Sequence, residues 1–244
     1  MATSSPETLL SKKSIVPRDR LIFPLDVPTN EEAMALVARL GDSVAFYKVG
    51  LELIIGGRYL EVVDFLVRSN KKVMLDGKFF DVPETVKAAV RQASKHAITF
   101  VTVHANDAML EAAVEVKGDM QILAVTVLTS LDDGDLKDLG FQCDAVTLVL
   151  SRARRALQIG CDGVVSSGLE APGLRDHCGD KFVIVTPGIR PVKNVDDQKR
   201  TVDVDEAFRN GADYIVVGRP IRNAPDPKAA AENVQKRIAA LFPS

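Results

Sequence analysis

Asp76, Lys78 and Asp81 crowd the end of one apolar run, Val73-Met74-Leu75, in the stretch KVMLDGKFFDVPETV at residues 72–86. In an extended strand alternate side chains share a face, so Met74, Asp76 and Lys78 point one way and Leu75 and Gly77 the other. Two earlier apolar runs also end in charge, LIFPLD in Asp26 and VAFYK in Lys48. Taking such charges out of water costs several kcal/mol each unless they are paired. Alternating Lys and Asp among Asp26, Lys48, Asp76, Lys78 and Asp81 offsets that cost, keeping the lysines protonated and the carboxylates ionised. Such a cluster can pass a proton from a charged lysine to a substrate atom and can set a carboxylate against an anionic substrate group. An ordinary salt-bridge network explains any one of these residues alone. Five of them together at strand ends weaken that explanation.

A second constellation lies near the C-terminus. The stretches TPGIR (186–190) and VGRPI (217–221) each follow an apolar run and pair a glycine with an arginine. Gly188 and Gly218 allow close backbone approach and N–H donation. Arg190 and Arg219 offer forked donors suited to phosphate. The polar stretch PVKNVDDQKR (191–200) between them is long enough for a lid, from which Gln198 could reach a phosphate. His104 ends the run VTVH and reads as a hydrogen-bonded spacer rather than a base, because no nucleophile or metal cluster pairs with it in sequence. His96 and His177 read as surface residues.

The elements that must position these groups follow from periodicity. Short apolar, β-branched runs recur at 21–26, 44–50, 72–78, 100–105, 122–128, 162–167, 182–188 and 214–219. Most are continuously apolar rather than alternating, as expected of parallel strands covered on both faces. Helical stretches lie between them. TNEEAMALVARLG starts at a Thr29 or Asn30 cap and closes at Gly41, VPETVKAAVRQASKH has Pro83 near its start, and PKAAAENVQKRIAALF ends the chain. Eight alternations in 244 residues predict an α/β fold, a single-domain (β/α)8 TIM barrel over residues 19–244 with a short polar N-terminal tail or docking arm over residues 1–18. Active sites of such barrels sit at the C-terminal strand ends, and the loops after strands 7 and 8 are their usual phosphate site. Pro24 is awkward in a central strand. The interval Val127 to Ser166, 39 residues, leaves room for a loop and short helix, TSLDDGDLKDLGF, over the barrel mouth.

Bulk properties exclude some partners. A net charge of −2 gives no footprint for nucleic acid or an acidic lipid surface. No apolar segment reaches transmembrane length and the N-terminus has no secretory h-region. Cys143, Cys161 and Cys178 are odd in number and lack C-x-x-C spacing, which fits a reducing cytoplasm and neither a disulfide framework nor a zinc site.

Together these motifs resemble the orotidine 5′-monophosphate decarboxylase family over essentially the whole chain after the tail. The resemblance is carried by LDGKFFDVPETV, a D-x-K-x-x-D-[IV]-P-x-T pattern, with LDV at Asp26, FYKVG at Lys48, VTVHA, VTVLTS, TPGIR, DDQKR and VGRPI in the same order. D-x-K-x-x-D alone is shared with sister sugar-phosphate enzymes. The resemblance implies decarboxylation of orotidine 5′-monophosphate to uridine 5′-monophosphate, the last step of de novo pyrimidine synthesis, by a homodimer that needs no metal or organic cofactor. It implies Lys78 as proton donor to C6, Asp76 against the substrate carboxylate, Lys48 in the charge network and at the ribose, and Asp26 at the ribose. Asp81 and Thr85 are implied to enter the partner's site. Thr129 with Ser130 would contact the pyrimidine, and Arg190, Gln198, Gly218 and Arg219 the phosphate. Gly77 and Phe80 fill variable positions of the pattern, Glu84 stands where an amide is common, and Pro24 is unusual. The alternative is a magnesium-dependent sugar-phosphate decarboxylase or aldolase of the same superfamily. Those enzymes hold the metal partly by a carboxylate at the end of strand 2, where this chain has Lys48.

Overall fold

The eight apolar runs become eight parallel strands: β1 (Leu21–Pro24), β2 (Phe46–Gly50), β3 (Lys72–Phe79), β4 (Phe100–His104), β5 (Gln121–Val125), β6 (Gly163–Val165), β7 (Val183–Thr186) and β8 (Tyr214–Val216). They pair in sequence order and close into a barrel, as the strand–helix alternation predicts. The structure, a computed structural model, describes residues 8–189 and 202–243. Arg190 and Gln198 of the expected phosphate grip lie outside the described residues.

Helices wrap the barrel: α1 (Asn30–Leu40), α2 (Leu51–Gly56), α3 (Tyr59–Arg68), α4 (Pro83–Ala93), α5 (Asp107–Glu115), α6 (Asp133–Asp138), α7 (Ala145–Ile159), α8 (Ala171–Cys178), α9 (Val204–Arg209), α10 (Arg219–Arg222) and α11 (Pro227–Leu241). Their ends follow local chemistry. Thr29 accepts a hydrogen bond from the Glu32 N–H at the start of α1, and Gly41, at φ +54°, ends it. Pro83 occupies the first turn of α4, where its missing N–H costs nothing. The long interval after β5 holds α6, opened by a reciprocal Asp132–Asp135 capping box, and then α7.

The pleat divides the core in two. Ile22, Phe46, Met74, Phe100 and Leu123 fill the barrel with Tyr214, and the rings of Phe46, Phe100 and Tyr214 meet at 5.1 to 5.8 Å. Their strand neighbours, such as Phe23, Tyr47, Leu75 and Val101, pack against the helices. Burial on both faces accounts for the continuous apolar runs.

Pro24 causes no break, because it is the last residue of β1. The Leu25 N–H reaches β2 at the Lys48 carbonyl, so alternation turns the Pro24 nitrogen toward β8, past the last β1–β8 pair, Ile22 and Val216. At the opposite end of the barrel, residues 9–13 are tied down by an ionic hub. Fully buried Asp213 takes Ser11 Oγ at 2.5 Å, Lys13 at 3.1 Å, Arg175 at 2.7 Å and the Ile184 N–H at 2.9 Å.

Candidate active site

Three strand ends converge at the barrel mouth. Register places Pro24 beside Lys48, Lys48 beside Met74, and Gly50 beside Asp76. Lys48 Nζ stands 3.0 Å from Asp26 Oδ1 and 3.3 Å from Asp76 Oδ2, and Lys78 Nζ stands 2.8 Å from the same Asp76 oxygen. The chain of alternating charge is therefore Asp26–Lys48–Asp76–Lys78. Its middle is buried and its ends are open: side-chain exposure is 12% for Lys48 and 8% for Asp76, against 46% for Asp26 and 31% for Lys78. The inner pair is committed to charge, and the outer ammonium faces the space where a substrate would lie.

The electrostatics follow from the contacts. Burial pulls the Lys48 ammonium toward neutrality, but Asp76 and Asp26 outweigh it and hold its pKa above the ordinary lysine value. Burial pushes the Asp76 carboxyl up, yet Lys48, Lys78 and hydrogen bonds from Lys78 and Thr102 hold it below the ordinary carboxylate range.

The pleat alone does not place Asp76 and Lys78. Leu75 is opposite Val101 and Phe79 is opposite Val103, so Asp76, Gly77 and Lys78 together face Thr102 of β4. This bulge of two extra residues keeps Asp76 and Lys78 on the inner face, where one extra residue would have flipped the second of them. Lys78 takes a left-handed backbone, φ +45°. A Cβ on Gly77 would meet the Phe79 ring at 2.5 Å, so a larger residue there would have to displace that ring.

A pocket of about 380 Å³ opens over these groups, within the range of small-molecule sites. Of the residues singled out in sequence, it gathers Asp26, Lys48, Asp76, Lys78, Thr129, Gly188, Gly218 and Arg219. Val125, Val127, Val165 and Val216 add apolar lining from β5, β6 and β8 and the loop after β5. Gly218 is where β8 leaves the barrel beside β1. A side chain there would meet Pro24 Cγ at 2.8 Å, so the unusual Pro24 packs against the motif glycine Gly218.

Other expected residues stay outside the pocket. Asp81 and Thr85 are exposed, and Asp81 accepts a hydrogen bond from the Val82 N–H at 2.7 Å. Ser130 is exposed and does not line the pocket beside its neighbour Thr129. The half-buried His104 ring meets Phe80 at 5.2 Å with the two ring planes 76° apart, and among the described residues the expected hydrogen bond to that ring is not formed. Burial, Arg152 and Lys78 hold His104 below the ordinary histidine pKa. Of the two expected surface histidines, His177 is exposed, and His96 is partly covered with its ring 3.4 Å from Asp64.

Sequence reasoning passed over three contributors. Arg222 lines the pocket and donates to the Asp26 carbonyl. Its spacing of three from Arg219 on one helical turn was the available signal. Thr102, fully buried, and Gly50 carry no such signal, because each matters only for what stands across from it.

Comparison with known proteins gives a consistent picture. Residues 19–234 match the family described as "Orotidine 5'-phosphate decarboxylase / HUMPS family". An orotidine 5′-phosphate decarboxylase of Methylococcus capsulatus is 62% identical over 235 residues, which cover 96% of this chain and 97% of that protein. One from Xanthomonas euvesicatoria is 51% identical over 228 residues, covering 92% and 94%. The crystal structure of orotidine 5′-phosphate decarboxylase from Lactobacillus acidophilus superposes with a TM-score of 0.80 at 36% identity, covering 90% of this chain and 99% of that one.

Proposed function

The chain belongs to the orotidine 5′-phosphate decarboxylase / HUMPS family, and from that premise we propose that it decarboxylates orotidine 5′-monophosphate to uridine 5′-monophosphate and CO2 in pyrimidine biosynthesis. The observation that carries this reading is the Lys48 ammonium held between Asp26 and Asp76 at 3.0 and 3.3 Å. In the magnesium-dependent alternative a carboxylate would help hold a divalent ion at the end of strand 2. Here that position is Lys48, and the Lys48 and Lys78 ammonium groups already pair with Asp26 and Asp76, so a divalent ion there would meet fixed positive charge.

In the reaction we assign to it, the C6–carboxyl bond breaks and leaves its electron pair on C6 as CO2 departs. The Lys78 ammonium stabilises the developing charge and then gives C6 its proton, and the resulting amine regains a proton from solvent. Asp76 lies against the substrate carboxylate and fixes Lys78. Asp26 and Lys48 take the ribose hydroxyls, and Thr129 with Ser130 the pyrimidine edge. Arg219, the Gly218 backbone, Arg190 and Gln198 take the phosphate. That grip is remote from the breaking bond, so its binding energy supports orientation rather than ground-state affinity alone.

The same reading makes the chain a homodimer, with Asp81 and Thr85 reaching the partner's site. The residues following β2 and β3 support it. Leu51, Ile55, Phe80 and Val82 are 54%, 82%, 64% and 63% exposed beside the mouth, an apolar surface that a second copy would cover. Residues 19–244 would be the catalytic barrel and residues 1–18 its tail. Among the described residues no helix is long and apolar enough to cross a membrane, and the three free thiols accord with a cytoplasmic enzyme. The test is loss of orotidine 5′-monophosphate absorbance in excess chelator. Turnover without added metal is expected. Activity lost to chelator and restored by magnesium would point instead to the sugar-phosphate branch.

A further inference from the structure

We propose that Thr102 is a positioning residue for this reaction, its single hydroxyl fixing both the Asp76 carboxylate and the backbone that carries Lys78. The inference rests on the reading of Asp76 and Lys78 as the reacting pair. Thr102 is fully buried beneath the pocket and does not line it, so it acts only through those two residues. Its Oγ1 donates to Asp76 Oδ1 at 3.0 Å and accepts from the Lys78 N–H at 2.9 Å. A hydroxyl has one proton to give and lone pairs to receive, so the two bonds are compatible and define its orientation.

The location explains why one hydroxyl carries so much. Across the bulge, Asp76, Gly77 and Lys78 face Thr102 without a β3–β4 pair of their own. The Lys72 N–H goes to β2 at the Ala45 carbonyl, so strict alternation would turn the Lys78 N–H toward β2 as well; across the bulge it goes to the threonine side chain of β4 instead. Lys78 also holds φ +45°, a conformation that a residue with a Cβ keeps only when its surroundings impose it. The bond from Oγ1 to Asp76 leaves the other carboxylate oxygen, Oδ2, for Lys48 and Lys78 at 3.3 and 2.8 Å. Without the hydroxyl, the carboxylate can rotate and the bulge can relax. The ammonium and the carboxylate then lose their fixed separation, although neither residue has been changed.

Two volume-matched comparisons test this: Thr102→Val against wild type, and Thr102→Ala against Thr102→Ser. Each removes the hydroxyl at nearly constant packing, and the second pair serves should the valine chain fail to fold. The expected result is a kcat for orotidine 5′-monophosphate lowered roughly 10- to 100-fold in Val and Ala, the size of a lost hydrogen bond to a charged group. KM should stay within about threefold, because the loss concerns the transition state. Thr102→Ser should keep kcat close to wild type. Equal kcat in Val and wild type, equal losses in Ser and Ala, or a raised KM at unchanged kcat would each overturn the inference. A wild-type chain that fails to decarboxylate would instead overturn the functional reading itself.

Discussion

Gly50 is the space into which Lys48 reaches. A methyl group on Gly50 would stand 2.9 Å from the Lys48 ammonium and 3.4 Å from Asp26 Oδ1, and Gly50 is opposite Asp76 in the β2–β3 register. Three inward positions of two adjacent strands therefore share one small volume, and the glycine leaves it to the ammonium. Gly50→Ala is expected to displace Lys48 from one of its two carboxylates and to lower kcat/KM by up to about 100-fold, the cost of a misplacement near 1 Å. Steady-state kinetics with a thermal melt as folding control would check it. Wild-type kcat/KM in the alanine chain would show that the ammonium has slack.

Asp76 ties stability to acid pH. Burial raises its pKa, but the two lysines and the Thr102 hydroxyl lower it further, so the folded carboxyl lies below the ordinary value. Near and below about 3.9 the unfolded chain binds the proton that the folded chain refuses, and stability rises with pH there. The contribution is complete above the unfolded value and is lost as pH falls through the folded one. Lys48 mirrors it at alkaline pH: burial lowers and the carboxylates raise its pKa, so its contribution is complete below the ordinary lysine value and is lost as pH rises through the folded value. Denaturant titrations from pH 6 to pH 3 should show wild type losing stability relative to Asp76→Asn. A pH-independent difference would contradict the coupling.

Asp81 offers a test of the dimer. It is exposed and stays outside the pocket formed by its own chain, so its assigned role requires a second copy. Lys78→Ala and Asp81→Ala chains are each expected to be nearly inactive alone, with Lys78→Ala still folding and binding uridine 5′-monophosphate in calorimetry. Mixing the two at equal concentration with subunit exchange would rebuild one intact site per mixed dimer, roughly a quarter of all sites. Turnover surviving in Lys78→Ala alone would remove that residue as proton donor. No recovery on mixing, despite demonstrated exchange, would place Asp81 outside the partner's site.

Much of this protein was legible from the chain alone, because its information was local. Continuous apolar runs, a Thr29 cap, a helix-opening Pro83 and charges at Asp26, Lys48, Asp76 and Lys78 are patterns within a few residues. Barrel geometry then sends strand ends to one mouth. The rest depended on contacts between segments far apart in sequence. The pleat puts Asp76 and Lys78 on one face, but the β3–β4 mismatch and the Thr102 hydroxyl 24 to 26 residues away decide where on that face they stand. Gly50 looks like an ordinary glycine until Lys48 is set across from it, and the sequence that marks Gly218 as a loop glycine does not show its contact with Pro24. Arg222 joins the pocket by donating to a carbonyl 196 residues earlier. Periodicity records which face a side chain takes. Only the closed barrel determines which atoms from other strands share that face.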